Sequence, residues 1–309
     1  METHFSNHLS ESVRSVVYSS LIPTCPLIPS PRTHHSAEDF GDMGDLLKGV
    51  ALVTGAGSEG IGQATCIALV QHGIKQLAVL DINADGLAET KRLVNEVREV
   101  NVLELQVDLA EEHSIISGVQ QANDHFGRID ILINNAAIAG AISPSTNVAT
   151  SDFHKIIDVN LVGLWICQRE VIKRMLQQEP IKQRTGPASR GVIVNLSSTY
   201  GLVSPPALLS VPAYVASKHG ILGITKTDAN TYAKDGIRIN AICPGYVNTP
   251  AMRAAARSSE LVQEEEKKVP MGRFGEPSEL AEVICFLASP MSSYMTGSAV
   301  VVDGGFTSI

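Results

Sequence analysis

Tyr214 and Lys218, in the run AYVASKHG, stand four residues apart in a strongly helical stretch, downstream of an NLSS segment that ends at Ser198. On a helix this spacing stacks both side chains on one face, about 6 Å apart along the axis. A phenol titrates near about 10, so at neutral pH it transfers protons poorly unless a nearby cation stabilises the phenolate. Lys218 is placed to be that cation. An ordinary surface Tyr and Lys would share the spacing, so the surrounding chain must decide between the two readings.

From Gly49 onward, short apolar runs alternate with longer helical periods, the pattern of a parallel sheet with crossover helices. Strands are expected at 50–54, 76–80, 102–107, 129–134, 191–196, 237–242 and 298–302, and helices at 61–72, 84–99, 111–126, 150–179, 213–234 and 278–288. Strands as uniformly apolar as ILIN and VVV need cover on both faces. The expected fold is therefore α/β: one doubly wound Rossmann domain, its seven-stranded parallel sheet flanked by helices. Residues 249–276 break the rhythm and read as a mobile lid or substrate loop.

The first strand runs into TGAGSEGIG, where Gly55, Gly57, Gly60 and Gly62 lead, through Ile61, into a helix. Glycines at such a turn let the backbone approach a pyrophosphate, whose charge the helix N-terminus stabilises. Asp81 closes the second strand, about 20 residues past the glycines, the spacing at which an acid meets a ribose hydroxyl. Its charge would repel a 2′-phosphate, and no Lys or Arg follows at 82–86, so NAD is expected over NADP. Capping the next helix is the other use of an Asp at this position, and Asp108 faces the same choice between adenine and a helix cap.

The 309 residues are 44% hydrophobic and 18% charged, enough for one large buried core. A formal charge of −8 without a basic block disfavours nucleic acid and anionic membrane as partners, which leaves a small molecule or another subunit. Cys25, Cys66, Cys167, Cys243 and Cys285 are scattered singly, with no metal-ligand spacing, so no metal is expected. Residues 1–44 have few periodic apolar positions and read as a disordered extension; a start of translation at Met43 and a transit peptide are the alternatives, the latter opposed by Glu2, Glu11, Glu38, Asp39 and Asp42.

The order of these segments resembles the short-chain dehydrogenase/reductases of compact, single-domain type, from Gly49 to the C-terminus. The resemblance rests on the glycine turn, NNAA at 134–137, Asn160 in DVNLVG, NLSS at 195–198, YVASK at 214–218 and PGYVNT at 244–249. It implies that Tyr214 exchanges a proton with the substrate oxygen, that Lys218 lowers the Tyr214 pKa and holds the nicotinamide ribose, and that Ser198 hydrogen-bonds the substrate oxygen. Asn160 would anchor a water that extends the relay. Ser197 would support the loop; Asn135 and Ala136 would line the cofactor, and Val247 and Thr249 would meet its carboxamide and phosphates.

The chain departs from the family pattern in three places. The glycine turn is one residue longer, with Glu59 before Gly60; NNAA replaces NNAG; and the interval from Ser198 to Tyr214 is longer and holds Pro205, Pro206 and Pro212. The resulting expectation is hydride transfer between NAD(H) and a secondary alcohol or ketone of a small, fairly apolar molecule, with Leu202, Val203, Leu208, Leu209 and Met252 available as pocket walls. An NADPH-using ketoreductase of secondary metabolism and a non-catalytic nucleotide sensor are the alternatives. The resemblance further implies a cytoplasmic homodimer or homotetramer.

Overall fold

The computed structural model describes residues 45–183, 186–258 and 260–308. The expectations for residues 1–44, disorder and a start at Met43, lie outside the described residues, as does Cys25.

The seven strands are β1 (Val50–Thr54), β2 (Gln76–Asp81), β3 (Asn101–Gln106), β4 (Ile131–Asn134), β5 (Gly191–Leu196), β6 (Ile237–Pro244) and β7 (Ala299–Val302). They form one parallel sheet in the order β3-β2-β1-β4-β5-β6-β7. The chain runs outward from β1 to β3, then returns to lay β4 on the other side of β1. The two halves diverge there, and ligands bind at the carboxyl ends of the strands flanking such a switch point.

Alternation along each strand sorts the core into two layers. On one face Ala51, Val53, Leu77, Val79, Ile131 and Ile133 pack against Leu69 of α1 (Ile61–Gln71) and Ile284 of α9 (Pro277–Ala288). On the other, Leu52, Leu80, Leu132 and Ile193 meet Ile115 and Val119 of α3 (Glu112–Phe126) and Val171 and Met175 of α5 (Leu164–Gln177). β1 and β4 are buried on every residue, which accounts for their unbroken apolar runs.

Three elements differ from expectation. β4 begins at Ile131 rather than 129, because the Asp130 carboxylate turns aside to accept the Val50 N–H at 2.9 Å and pair with Arg128. The single helix expected at 150–179 is α4 (Thr150–Ile157), a π-helical segment over Asp158–Gly163, and then α5. Within the wide turn Asn160 is wholly buried, and a side chain at Gly163 would lie 2.3 Å from the Leu109 carbonyl oxygen. The 249–276 segment holds two helices, α7 (Pro250–Ser258) and α8 (Glu260–Lys267). The remaining helices, α2 (Ala84–Val97) and α6 (Pro212–Tyr232), lie close to where the periodicity placed them.

Below the strand ends a buried amide network ties the sheet to its helices. Asn134 donates to Asn195 at 2.9 Å, and Asn195 donates in turn to Gln168 of α5 at 2.8 Å and Thr225 of α6 at 3.0 Å. Asn195 is fully buried, so removing its amide strands several partners at once. Asn195→Ala is expected to lower the unfolding free energy by about 2–4 kcal/mol, read by urea denaturation.

Candidate active site

The glycine turn is built around the end of β1. Gly55 has a positive φ of 70°, and a side chain there would sit 2.6 Å from the Ala136 Cα. The Asn135 amide donates to the Thr54 and Gly55 carbonyls at 3.0 and 2.9 Å, while the Thr54 hydroxyl accepts the N–H groups of Asn135 and Ala136. Asn135 and Ala136 thus hold the turn in shape from β4. Gly62 has no room for a side chain either, since its Cβ would meet the Gly55 carbonyl oxygen at 2.2 Å. Gly60 caps α1, which begins at Ile61.

Asp81 stands beside this turn. Its carboxylate accepts the Gly57 N–H at 2.8 Å and the Asn83 N–H at 3.0 Å. The helix cap is Asn83 instead, whose side chain accepts from Gly86 and donates to the Gly57 carbonyl at 2.9 Å. Each Asp81 oxygen keeps a lone pair for a further donor. Asp108 caps its own turn, accepting the Ala110 N–H at 2.8 Å, while the Ser114 hydroxyl accepts its N–H. Glu59, the residue that lengthens the turn, pairs with Arg253 of α7 at 2.5 Å. On the far side Val247 is buried and bridged to Gly275, and the Thr249 hydroxyl accepts the Met252 N–H at 3.3 Å as α7 begins.

The second cluster forms where β5 meets α6. Lys218 is 2% exposed, and its ammonium donates to the Leu196 carbonyl at 2.8 Å. Burial pulls this ammonium down to about 8, with Cys243 beside it acting in the opposite sense. Ser197 donates to the Lys218 carbonyl at 2.8 Å, tying the end of β5 to α6. Ser198 accepts the Tyr200 N–H at 3.1 Å, and its hydroxyl acts as a hydrogen-bond donor toward the Tyr214 phenol.

Tyr214 departs from expectation in its electrostatics. Its phenol titrates above the ordinary value because burial outweighs the hydrogen bond from Ser198. The Lys218 ammonium lies 5.4 Å from the centre of the Tyr214 ring and is directed at a backbone carbonyl, so the phenol stays protonated at neutral pH.

Asn160 brings no free side chain to the cluster. Its amide exchanges two hydrogen bonds of 2.8 Å with the backbone of Ile138 and donates to Ser217 at 3.3 Å. Of the apolar residues offered as pocket walls, Leu202, Val203 and Leu208 are exposed and Leu209 is buried. Cys243 packs with Leu222 and Ala241. Thr54, Asn83 and the pair Glu59–Arg253 were not anticipated as site-shaping residues. Asn83 alone had a local signal, an Asn directly before a helical period. Among the described residues no group of side chains could hold a metal ion, and no helix is long and apolar enough to cross a membrane.

The glycine turn and strand-end acid at the end of β1 and β2, and the Ser–Tyr–Lys cluster at the end of β5, have counterparts among known proteins. The family model described as enoyl-(acyl carrier protein) reductase matches residues 55–307. Short-chain dehydrogenase fogB of Aspergillus ruber is 37% identical, the match covering 84% of this chain and 97% of the relative. The chain is a short-chain dehydrogenase/reductase.

Other members of the family extend the likeness. Cyclohexanol dehydrogenase of an Acinetobacter species is 36% identical, over 84% of this chain and 95% of the relative. The crystal structure of levodione reductase superposes with a TM-score of 0.76 at 33% identity, covering 84% of this chain and 97% of that one. A solved Agrobacterium tumefaciens protein, provisionally assigned as a 2-deoxy-d-gluconate 3-dehydrogenase, carries bound NADP; its TM-score is 0.72 at 30% identity, covering 86% of this chain and 98% of that one. This short-chain dehydrogenase/reductase is an oxidoreductase of alcohol and ketone groups, in a family that uses NAD or NADP.

The buried ammonium has a measurable signature. Between about 8, the Lys218 value in the fold, and 10.5, its ordinary value, the unfolded chain binds the additional proton. Stability from this group therefore rises with pH across that window, by on the order of 3 kcal/mol, and is lost as pH falls through about 8. The difference in unfolding free energy between the ligand-free wild type and Lys218→Met is expected to show that slope.

Proposed function

We propose that this protein transfers a hydride between NAD(H) and a secondary alcohol or ketone of a small, fairly apolar molecule. The Ser198–Tyr214 hydroxyl pair beside the buried Lys218 is the observation that carries this reading. The names of the cyclohexanol and levodione relatives support an apolar, cyclic substrate class. Residues 45–309 serve as the catalytic domain, with 249–276 as its substrate loop and 1–44 as an extension.

The residues present fit a dinucleotide. The glycine turn leaves no room for side chains at Gly55, Gly57 and Gly62, and Asp81 keeps acceptor capacity for ribose hydroxyls. The charge at Asp81, with no Lys or Arg at 82–86, supports NAD over NADP. When bound, the nicotinamide supplies or takes up the hydride.

Tyr214 delivers the proton to a ketone oxygen in reduction or removes it from an alcohol in oxidation. Ser198 turns its proton from Tyr214 to the same oxygen and stabilises the charge that develops there. Lys218 holds the nicotinamide ribose and returns the proton to Tyr214. Asn160 anchors the relay water through its main-chain carbonyl, because its side-chain amide is already engaged. Thr249 keeps a hydroxyl proton for a phosphate, and Val247 walls the carboxamide end. Exposed Phe153, Val162, Trp165 and Leu176 along residues 150–177 support a homodimer or homotetramer.

Tyr214→Phe is expected to cut turnover of secondary alcohols by about 100- to 10,000-fold while leaving NAD⁺ affinity within about twofold. Because Tyr214 is protonated at neutral pH, ketone reduction should fall, and alcohol oxidation rise, as pH climbs through its titration. Full turnover in the Phe variant would overturn the assignment.

Asp81→Ser should weaken NAD⁺ and strengthen NADP⁺ binding, each by about tenfold, in calorimetric titrations. A wild type that prefers NADP⁺ would overturn the cofactor reading.

A further inference from the structure

The lid carries a charge that the proposed reaction does not use. Glu265 of α8 is 3% exposed, and a carboxylate buried this deeply is costly unless it is paired and hydrogen-bonded. The Lys268 ammonium lies 2.5 Å from one of its oxygens, and the Tyr246 hydroxyl lies 3.2 Å from the other. Tyr246 follows the Pro244–Gly245 turn at the end of β6, and its hydroxyl is 2.6 Å from that of Tyr200. Tyr200 in turn donates its N–H to the Ser198 hydroxyl.

The direction of the chain follows from its end. Tyr246 donates its one hydroxyl proton to Glu265, so it must accept from Tyr200. The Tyr200 hydroxyl proton is therefore spent on the lid side. The rings are fixed as well: Tyr246 packs against Phe274 and Phe306 at 5.6 and 5.4 Å between centroids, and meets Tyr200 edge-on at 6.3 Å. The packing holds Tyr246 in place even without its hydroxyl, so the hydrogen bonds can be removed separately from the aromatic cluster.

We propose that Tyr200, Tyr246 and Glu265 form a one-way hydrogen-bonded strap that locks α8 to the turn bearing Ser198, with Tyr200 and Tyr246 as positioning residues for substrate capture. The strap presupposes the hydride-transfer reading in placing Ser198 at the reacting oxygen. Its physical content is independent of that reading: α8 is ordered from a residue on the opposite end of the strap.

The test is amide hydrogen exchange across residues 260–267 in the full-length protein. The Tyr200 hydroxyl reaches α8 only through Tyr246, so a strap predicts that Tyr200→Phe speeds exchange in α8 by about tenfold. Tyr246→Phe should do the same, and the double variant no more than either alone. Glu265→Gln, which keeps an acceptor for Tyr246, should protect α8 better than Glu265→Ala. Alongside, Tyr200→Phe and Tyr246→Phe should raise the substrate KM about tenfold with NAD⁺ affinity unchanged. Unaltered α8 exchange in Tyr200→Phe, or additive effects in the double variant, would overturn the strap. The hydride-transfer reading fails separately, if Tyr214→Phe retains turnover.

Discussion

A single ammonium group, held out of water, organises this site. Lys218 donates a hydrogen bond to the Leu196 carbonyl at the end of β5, and that bond fixes where α6 meets the sheet. Ser197 answers from the strand by donating to the Lys218 carbonyl, so strand and helix are joined in both directions within one turn. Tyr214 is one helical turn before Lys218, and Ser198 is the next residue along the strand end. Their hydroxyls meet because those two backbones are locked together. A charge so deeply buried is tolerable only with a fixed partner, which is why the geometry around it is narrow.

The cofactor side is shaped by close approach rather than by charge. Gly55, Gly57 and Gly62 lack side chains because Ala136, Asp81 and the Gly55 carbonyl already occupy that space. Asn135 and Thr54 then hold the turn with hydrogen bonds to its backbone. Asp81 adds the one acidic contact, tying the turn to β2 through the Gly57 N–H. The additional residue Glu59 does not disturb this arrangement, since its side chain leaves the turn for Arg253.

The segment holding α7 and α8 touches both clusters. α7 reaches the glycine turn through Arg253, and α8 reaches the β6 end through Glu265 and Tyr246. The first link is an exposed ion pair, weak by its nature, while the second is buried and continuous with the aromatic cluster.

The seven strands, most of the helices between them and the Tyr214–Lys218 spacing were legible in the chain, because alternation and helical period are local properties that burial enforces residue by residue; the π-helical break at Asp158–Gly163 and the helices α7 and α8 were not. The fold class followed from the same signals, and the family resemblance from the residues of the glycine turn, NNAA, NLSS, YVASK and PGYVNT. Other features depended on residues far apart in sequence. Nothing local told that Asn160 would spend its amide on Ile138 or that Glu59 would find Arg253. The electrostatic state of Tyr214 belongs to the same group: four-residue spacing put a lysine nearby, but only the packed core determined that burial would dominate the phenol and that the ammonium would turn to Leu196. Sequence alone determined which groups share a face; tertiary structure decided their partners and protonation, because both depend on solvent excluded by the whole fold.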